Sequence, residues 1–132
     1  MMIEADLNID TFARLIMRDT FEILIIDEVH PVLLDQLAEH SVKYLPQITL
    51  DELPVELATA QILIIRSKLH LSREWIEQAP ELRVIGRLGS GMDNIEIEYA
   101  EAKGEYCVNA PEGNRNAVAE QTIGMMLSML SN

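Results

Sequence analysis

Apolar positions along the chain fall into five short, nearly unbroken runs separated by polar segments. The runs are FEILIID (21–27), VKYLP (42–46), QILIIRS (61–67), ELRVIGR (81–87) and EYCVNAP (105–111). They do not alternate apolar with polar, so both faces of each predicted strand are covered. That is the signature of a parallel sheet between helical layers. The intervening segments carry helical spacing. PVLLDQLAEH (31–40) opens with Pro31 at a first helical position and places Leu33, Leu34 and Leu37 on one face. In TLDELPVELATA (49–60), Thr49 and Glu52 have capping-box spacing, while Pro54 argues for a helix that begins near it. SREWIEQA (72–79) has Ser72 as a candidate N-cap, and NIEIEYAEAKG (94–104) has Gly104 as a left-handed stop. Strand–helix order repeats throughout, which predicts an α/β fold.

The two ends differ from this pattern. Residues 1–20 read as an N-terminal extension holding a short amphipathic helix, with Asp10 as N-cap and Phe12, Leu15 and Ile16 on one face. Residues 114–130 form the last expected helix. Val118, Ile123, Met125, Met126, Leu127, Met129 and Leu130 cover nearly its whole circumference, so it is expected to be buried or to pack on a partner surface. NAPEGN (109–114) breaks the periodicity between them and is the expected hinge.

The chain has 132 residues, enough for one core. Its net charge of −12 argues against a nucleic-acid partner and against adhesion to anionic membranes. An anion would have to be held by local positive charge or backbone amides working against that field. No run reaches the roughly 20 apolar residues of a membrane span. MMIEADLNID does not read as a signal peptide, and a single cysteine, Cys107, permits no internal disulfide; a cytoplasmic location is the expectation.

Candidate chemistry concentrates at two predicted strand ends, because ligands of open parallel sheets sit beyond the carboxyl ends of the strands. One is the loop from Gly86 to Asn94, IGRLGSGMDN with its preceding Ile85. Its glycines read G-x-x-G-x-G, which is neither the dinucleotide fingerprint nor a Walker A loop. Gly89, Ser90 and Gly91 could bring bare backbone N–H groups to a small anion, or simply make a tight turn. The other is Arg66-Ser67, where a guanidinium could clamp a carboxylate or phosphate, or be a surface arginine at a strand end. His30, His40 and His70 read as surface histidines. Asp27 and Glu28 lack a third metal ligand, and Cys107 reads as a buried, inert thiol.

The stretch from Leu82 to Leu127 resembles the N-terminal half of the D-2-hydroxyacid dehydrogenases, nearest to the D-3-phosphoglycerate dehydrogenase type. The family reads G-R-x-G-x-G-x-D-N-I-D, then V-x-N-A-P-x-G-N-x-x-x-V-A-E, and this stretch matches almost throughout. ILIIRSKLHLS (62–72) resembles the family's R-S-x-T stretch, with Leu69 where threonine is common. The likeness begins near Phe21 and runs to the end. It implies a flavodoxin-like, substrate-binding domain over 21–110. It further implies a hinge and the first helix of an NAD-binding domain over 111–132.

Further consequences follow from the resemblance. Gly89, Ser90 and Gly91 would hold the carboxylate of a small anionic hydroxyacid or oxoacid, with Arg66 and Ser67 as substrate-anion contacts and Ser90 also touching the cofactor. The cofactor is NAD, and the reaction is hydride transfer at C2 with a His–Glu acid/base pair. The family's G-x-G-x-x-G and its catalytic Arg, Glu and His fall after the last residue of this sequence, so no catalytic residue is assigned here. A chain of this extent is expected to be inactive alone, to bind NAD weakly and to form a homodimer through the Met-rich helix. The alternative is a stand-alone flavodoxin-like module that binds an anion or dimerises without catalysis.

Overall fold

The structure is a computed structural model, which describes residues 21–89 and 93–110. The expected extension (1–20), the hinge beyond Ala110, the helix at 114–130, and Ser90 and Gly91 lie outside the described residues.

Five strands and four helices alternate: β1 (Glu22–Ile25), α1 (Pro31–Gln36), β2 (Ser41–Tyr44), α2 (Leu53–Leu57), β3 (Ile62–Ile65), α3 (Arg73–Glu77), β4 (Val84–Leu88), α4 (Ile97–Ala102) and β5 (Tyr106–Ala110). The strands form one sheet in the order β2-β1-β3-β4-β5, and every pairing is parallel. The fold is therefore the α/β, flavodoxin-like one expected. The chain moves one way from β1 to β2 and the other way from β2 onward. Right-handed crossovers then put α1 on one face and α2, α3 and α4 on the other.

The core divides accordingly. Ile23, Ile25, Ile62, Ile64, Val84 and Val108 pack on the α1 face with Leu33 and Leu37. Leu24, Leu63, Ile65, Ile85 and Cys107 pack on the opposite face against Leu53, Leu57, Ile76 and Ala100. Leu69, the departure from the family pattern, is buried in this second cluster. Strand β2 is the exception to wholly apolar strands. It lies at the sheet edge, where Ser41 and the exposed Lys43 are tolerated, and Lys43 pairs with Glu56 at 2.7 Å. Among the described residues no helix is long and apolar enough to cross a membrane.

Local chemistry explains the element ends. At α1, Pro31 occupies the first turn and the His30 ring accepts from the Val32 amide at 3.1 Å. Of the two readings of 49–60, the start near Pro54 holds, and the Thr49–Glu52 pair forms in the turn before it. Thr49 and Glu52 exchange reciprocal hydrogen bonds, and the helix starts at Leu53, one residue before Pro54. Ser72 is the extended N-cap of α3, although its side chain makes no capping bond to the backbone. Gly104 closes α4 at φ +90°.

Gly86, expected both in the ELRVIGR strand and at the head of the glycine loop, belongs to the strand: it is buried within β4, paired with Ile64 and Val108, so the turn starts only at Gly89. One expectation is overturned. His40 is not a surface histidine. Helix α1 stops at Gln36, and His40 is left half-buried, its Nδ1 accepting from the Phe21 amide at 3.2 Å and its ring 5.5 Å from that of Phe21. Burial lowers its pKa, with Glu39 opposing.

Glu105 stands just before β5, at the amino end of the sheet and away from the strand ends that carry the candidate chemistry. It is 5% exposed, and its Oε1 has no hydrogen-bond partner. Burial pushes its carboxyl up from 4.5 to about 7, against the pull of Lys103. Burial, with Glu105 as a further cause, pushes the Cys107 thiol up to about 11, consistent with an inert thiol.

The folded-state pKa of Glu105 is raised, so its contribution is complete below pH 4.5 and is lost as pH rises through about 7. His40 acts oppositely, adding stability as pH rises toward 6.5. Comparing the parent with Glu105→Gln isolates the carboxyl. Thermal unfolding should show Glu105→Gln more stable by about 2 kcal/mol at pH 8 and nearly equal to the parent at pH 4.5. A difference that does not change with pH would contradict the buried, unpartnered carboxyl.

Candidate functional site at the carboxyl edge

The strand order reverses direction at β1 and β3, so their carboxyl ends open a crevice between diverging connections. Asp27 lies just past β1 and Arg66 just past β3. The backbone N–H of Arg66 donates to Asp27 Oδ2 at 2.5 Å, and Arg66 Nη1 donates to the Glu28 carbonyl at 3.3 Å. Asp27 thus braces the Arg66 backbone and is used as a structural acceptor. Among the described residues no group of three or more His, Cys, Asp or Glu could hold a metal ion.

Ser67 is exposed beside the half-buried Arg66. The loop that carries both is pinned further along. Leu71 makes a parallel bridge with Ile95, its N–H donating to the Asn94 carbonyl at 2.7 Å, while the Glu96 N–H donates back to Leu71 at 3.0 Å. Lys68 donates to the Pro46 carbonyl at 2.7 Å.

The second strand end belongs to β4. Gly89 follows Leu88 with φ +137°, a conformation L side chains rarely adopt. A Cβ there would also collide with Arg87 Nη1. Arg87 folds back over the turn, its Nη1 donating to the Leu88 carbonyl at 3.4 Å. Its Nε donates to Asn94 Oδ1 at 2.7 Å. The Asn94 carboxamide then donates to the carbonyls of Arg66 at 3.0 Å and Leu69 at 3.1 Å.

The structure therefore joins the Arg66 loop to the carboxyl end of β4, just before Gly89, in one hydrogen-bonded assembly. Arg87 and Asn94, which join them, carry no assignment in the sequence reading. Both belong to the G-R-x-G-x-G-x-D-N pattern, but spacing alone does not pair residues seven apart across a turn. The assembly places the Arg66 and Arg87 side chains and Gly89 at one edge of an acidic chain. Such a group can receive a small anion by charge-assisted hydrogen bonds. The first strand-to-helix turn, at 26–30, has no glycine and presents Asp27. It does not fit the pyrophosphate of a dinucleotide, whose charge that carboxylate would repel.

A family model described as the catalytic domain of D-isomer specific 2-hydroxyacid dehydrogenases matches residues 23–125. The chain belongs to that family. It is 39% identical over 112 residues to D-3-phosphoglycerate dehydrogenase of Methanocaldococcus jannaschii, covering 84% of this chain. It is 34% identical over 110 residues to the same-named enzyme of Sus scrofa, covering 82% of this chain. It spans only 21% of the length of each. Among solved structures, the cofactor (NAD+) bound 3-phosphoglycerate dehydrogenase of Entamoeba histolytica superposes with a TM-score of 0.64 at 27% identity, over 82% of this chain and 38% of that one.

Gly89→Ala is expected to cost roughly 1–3 kcal/mol of stability, from the left-handed backbone and the displaced guanidinium. Thermal unfolding measures the loss. The Arg87 Nε–H resonance should shift at the same time. Unchanged stability and an unmoved Arg87 resonance would contradict the close approach.

Proposed function

We propose that this chain is the substrate-binding part of an NAD-dependent D-2-hydroxyacid dehydrogenase, of the type that acts on D-3-phosphoglycerate. Residues 21–110 form the substrate-binding unit, 111–132 the hinge and first helix of a nucleotide-binding domain, and 1–20 an extension. Arg66 and Ser67 contact the substrate anion from one side. The backbone of Gly89, Ser90 and Gly91 holds its carboxylate from the other, with Ser90 also near the cofactor. The observation that carries this reading is the joining of the two loops at the carboxyl edge through Arg87 and Asn94. The 39% identity to a D-3-phosphoglycerate dehydrogenase supports the substrate class.

On this reading NAD is the hydride acceptor of the whole enzyme, no catalytic residue is assigned within these 132 residues, and the chain alone is expected to be inactive. Pairing of two copies through residues 114–130 belongs to the same proposal.

Calorimetric titration of the chain with D-3-phosphoglycerate tests the reading. Binding is expected, and Arg66→Ala should weaken it at least about tenfold through loss of a charge-assisted contact. Arg66→Lys should restore only part, since an ammonium lacks the planar fork. No turnover is expected with NADH and 3-phosphohydroxypyruvate. Binding indifferent to Arg66 would overturn the site assignment. Turnover by this chain alone would overturn its incompleteness.

A further inference from the structure

We propose that Asn94 is the positioning residue that ties the Arg66 loop to Arg87 at the carboxyl end of β4, just before Gly89; its consequence for affinity rests on the substrate-site reading above. A carboxamide offers two N–H donors and one acceptor oxygen. In Asn94 both donors are committed to one loop, at Arg66 O and Leu69 O, and the oxygen is committed to Arg87. Those two carbonyls bracket Ser67 and Lys68. The carboxamide therefore fixes both ends of the short segment that presents Arg66 and Ser67.

The other end of the assembly reaches the turn. Arg87 leaves Asn94, binds the Leu88 carbonyl, and lies where a Gly89 side chain would stand. A shift of the Arg66 loop relative to Arg87 must break a bond to the Asn94 side chain. The Asn94 carbonyl is also held, by the Leu71 amide, so the residue cannot slide to accommodate.

The neutral amide matters as much as its shape. It orients Arg87 without cancelling its charge, so a positive group stays beside Gly89, where the proposed anion-binding turn begins. An aspartate could still accept from Arg87 Nε. It would, however, neutralise that guanidinium and turn an acceptor oxygen toward two carbonyl oxygens, so both functions would suffer. A simple loop brace would not distinguish charge in this way.

The test uses the full chain with Asn94→Ala, Asn94→Asp and Arg87→Lys. In the unaltered chain, NMR should show slow exchange of the Arg87 Nε–H and the Asn94 side-chain amide. Arg87→Lys, made on one side of the joint, should move the Ser67 and Leu69 amide resonances on the other. Asn94→Ala should bind D-3-phosphoglycerate about tenfold more weakly, and Asn94→Asp more weakly still, from lost hydrogen bonds and lost charge. Should either Asn94 variant fail to fold, the unaltered chain and Arg87→Lys decide the matter. Fast exchange of both side-chain N–H groups overturns the proposal, as does confinement of the Arg87→Lys shifts to the Gly89 side. Asn94→Ala binding as tightly as the parent also overturns it. If the parent chain binds no D-3-phosphoglycerate, the substrate-site reading fails, and the exchange and shift measurements still decide the coupling.

Discussion

The sheet has no room for charge in its interior. Four of the five strands are buried on both faces, with Ile64, Ile65 and Leu63 wholly excluded from solvent. A charged side chain inside would lose its hydration without a partner. Polar chemistry is therefore pushed to the strand ends. Of the two ends, only the carboxyl one has connections that diverge, because the crossovers from β1 and from β3 lead to opposite faces. The exception at the other end, Glu105, shows the alternative, since its carboxyl is pushed to about 7 by burial.

At the carboxyl edge the polar groups are ordered rather than merely collected. Asp27 takes the Arg66 amide, Asn94 takes the Arg66 carbonyl, and Arg87 closes the chain onto the Gly89 turn. Each group in this series has a partner set by geometry, and Leu69, Leu71 and Ile95 anchor the same loops in the apolar core. The net charge of the chain is −12, so the general field repels anions. The two guanidinium groups act locally against it, at distances where direct hydrogen bonding outweighs a screened distant charge.

Much of the fold was legible because it depends on local pattern. Unbroken apolar runs marked the strands, Pro31 and Gly104 marked helix ends, and the Thr49–Glu52 spacing marked a turn that formed. The positions of Arg66, Ser67 and Gly89 just past strand ends were legible from the apolar runs; the role the family resemblance gives them is the proposal above. Gly86 stood both in a strand run and at the head of the glycine loop, because glycine ordinarily punctuates a strand. Here it sits between β3 and β5 and continues the ladder. His40 was misread because its partner, Phe21, lies 19 residues away. Asn94 was missed for the same reason, with acceptors 28 and 25 residues distant that only the pairing of β3 with β4 brings close.

The most direct measurement is a crystal structure of the chain grown with D-3-phosphoglycerate. The expected result is the hydroxyacid at the carboxyl edge, between the Arg66 guanidinium and the backbone of the turn that starts at Gly89, with Arg87 and Asn94 still joined. The anion bound elsewhere on the chain, with this edge unoccupied, would contradict it.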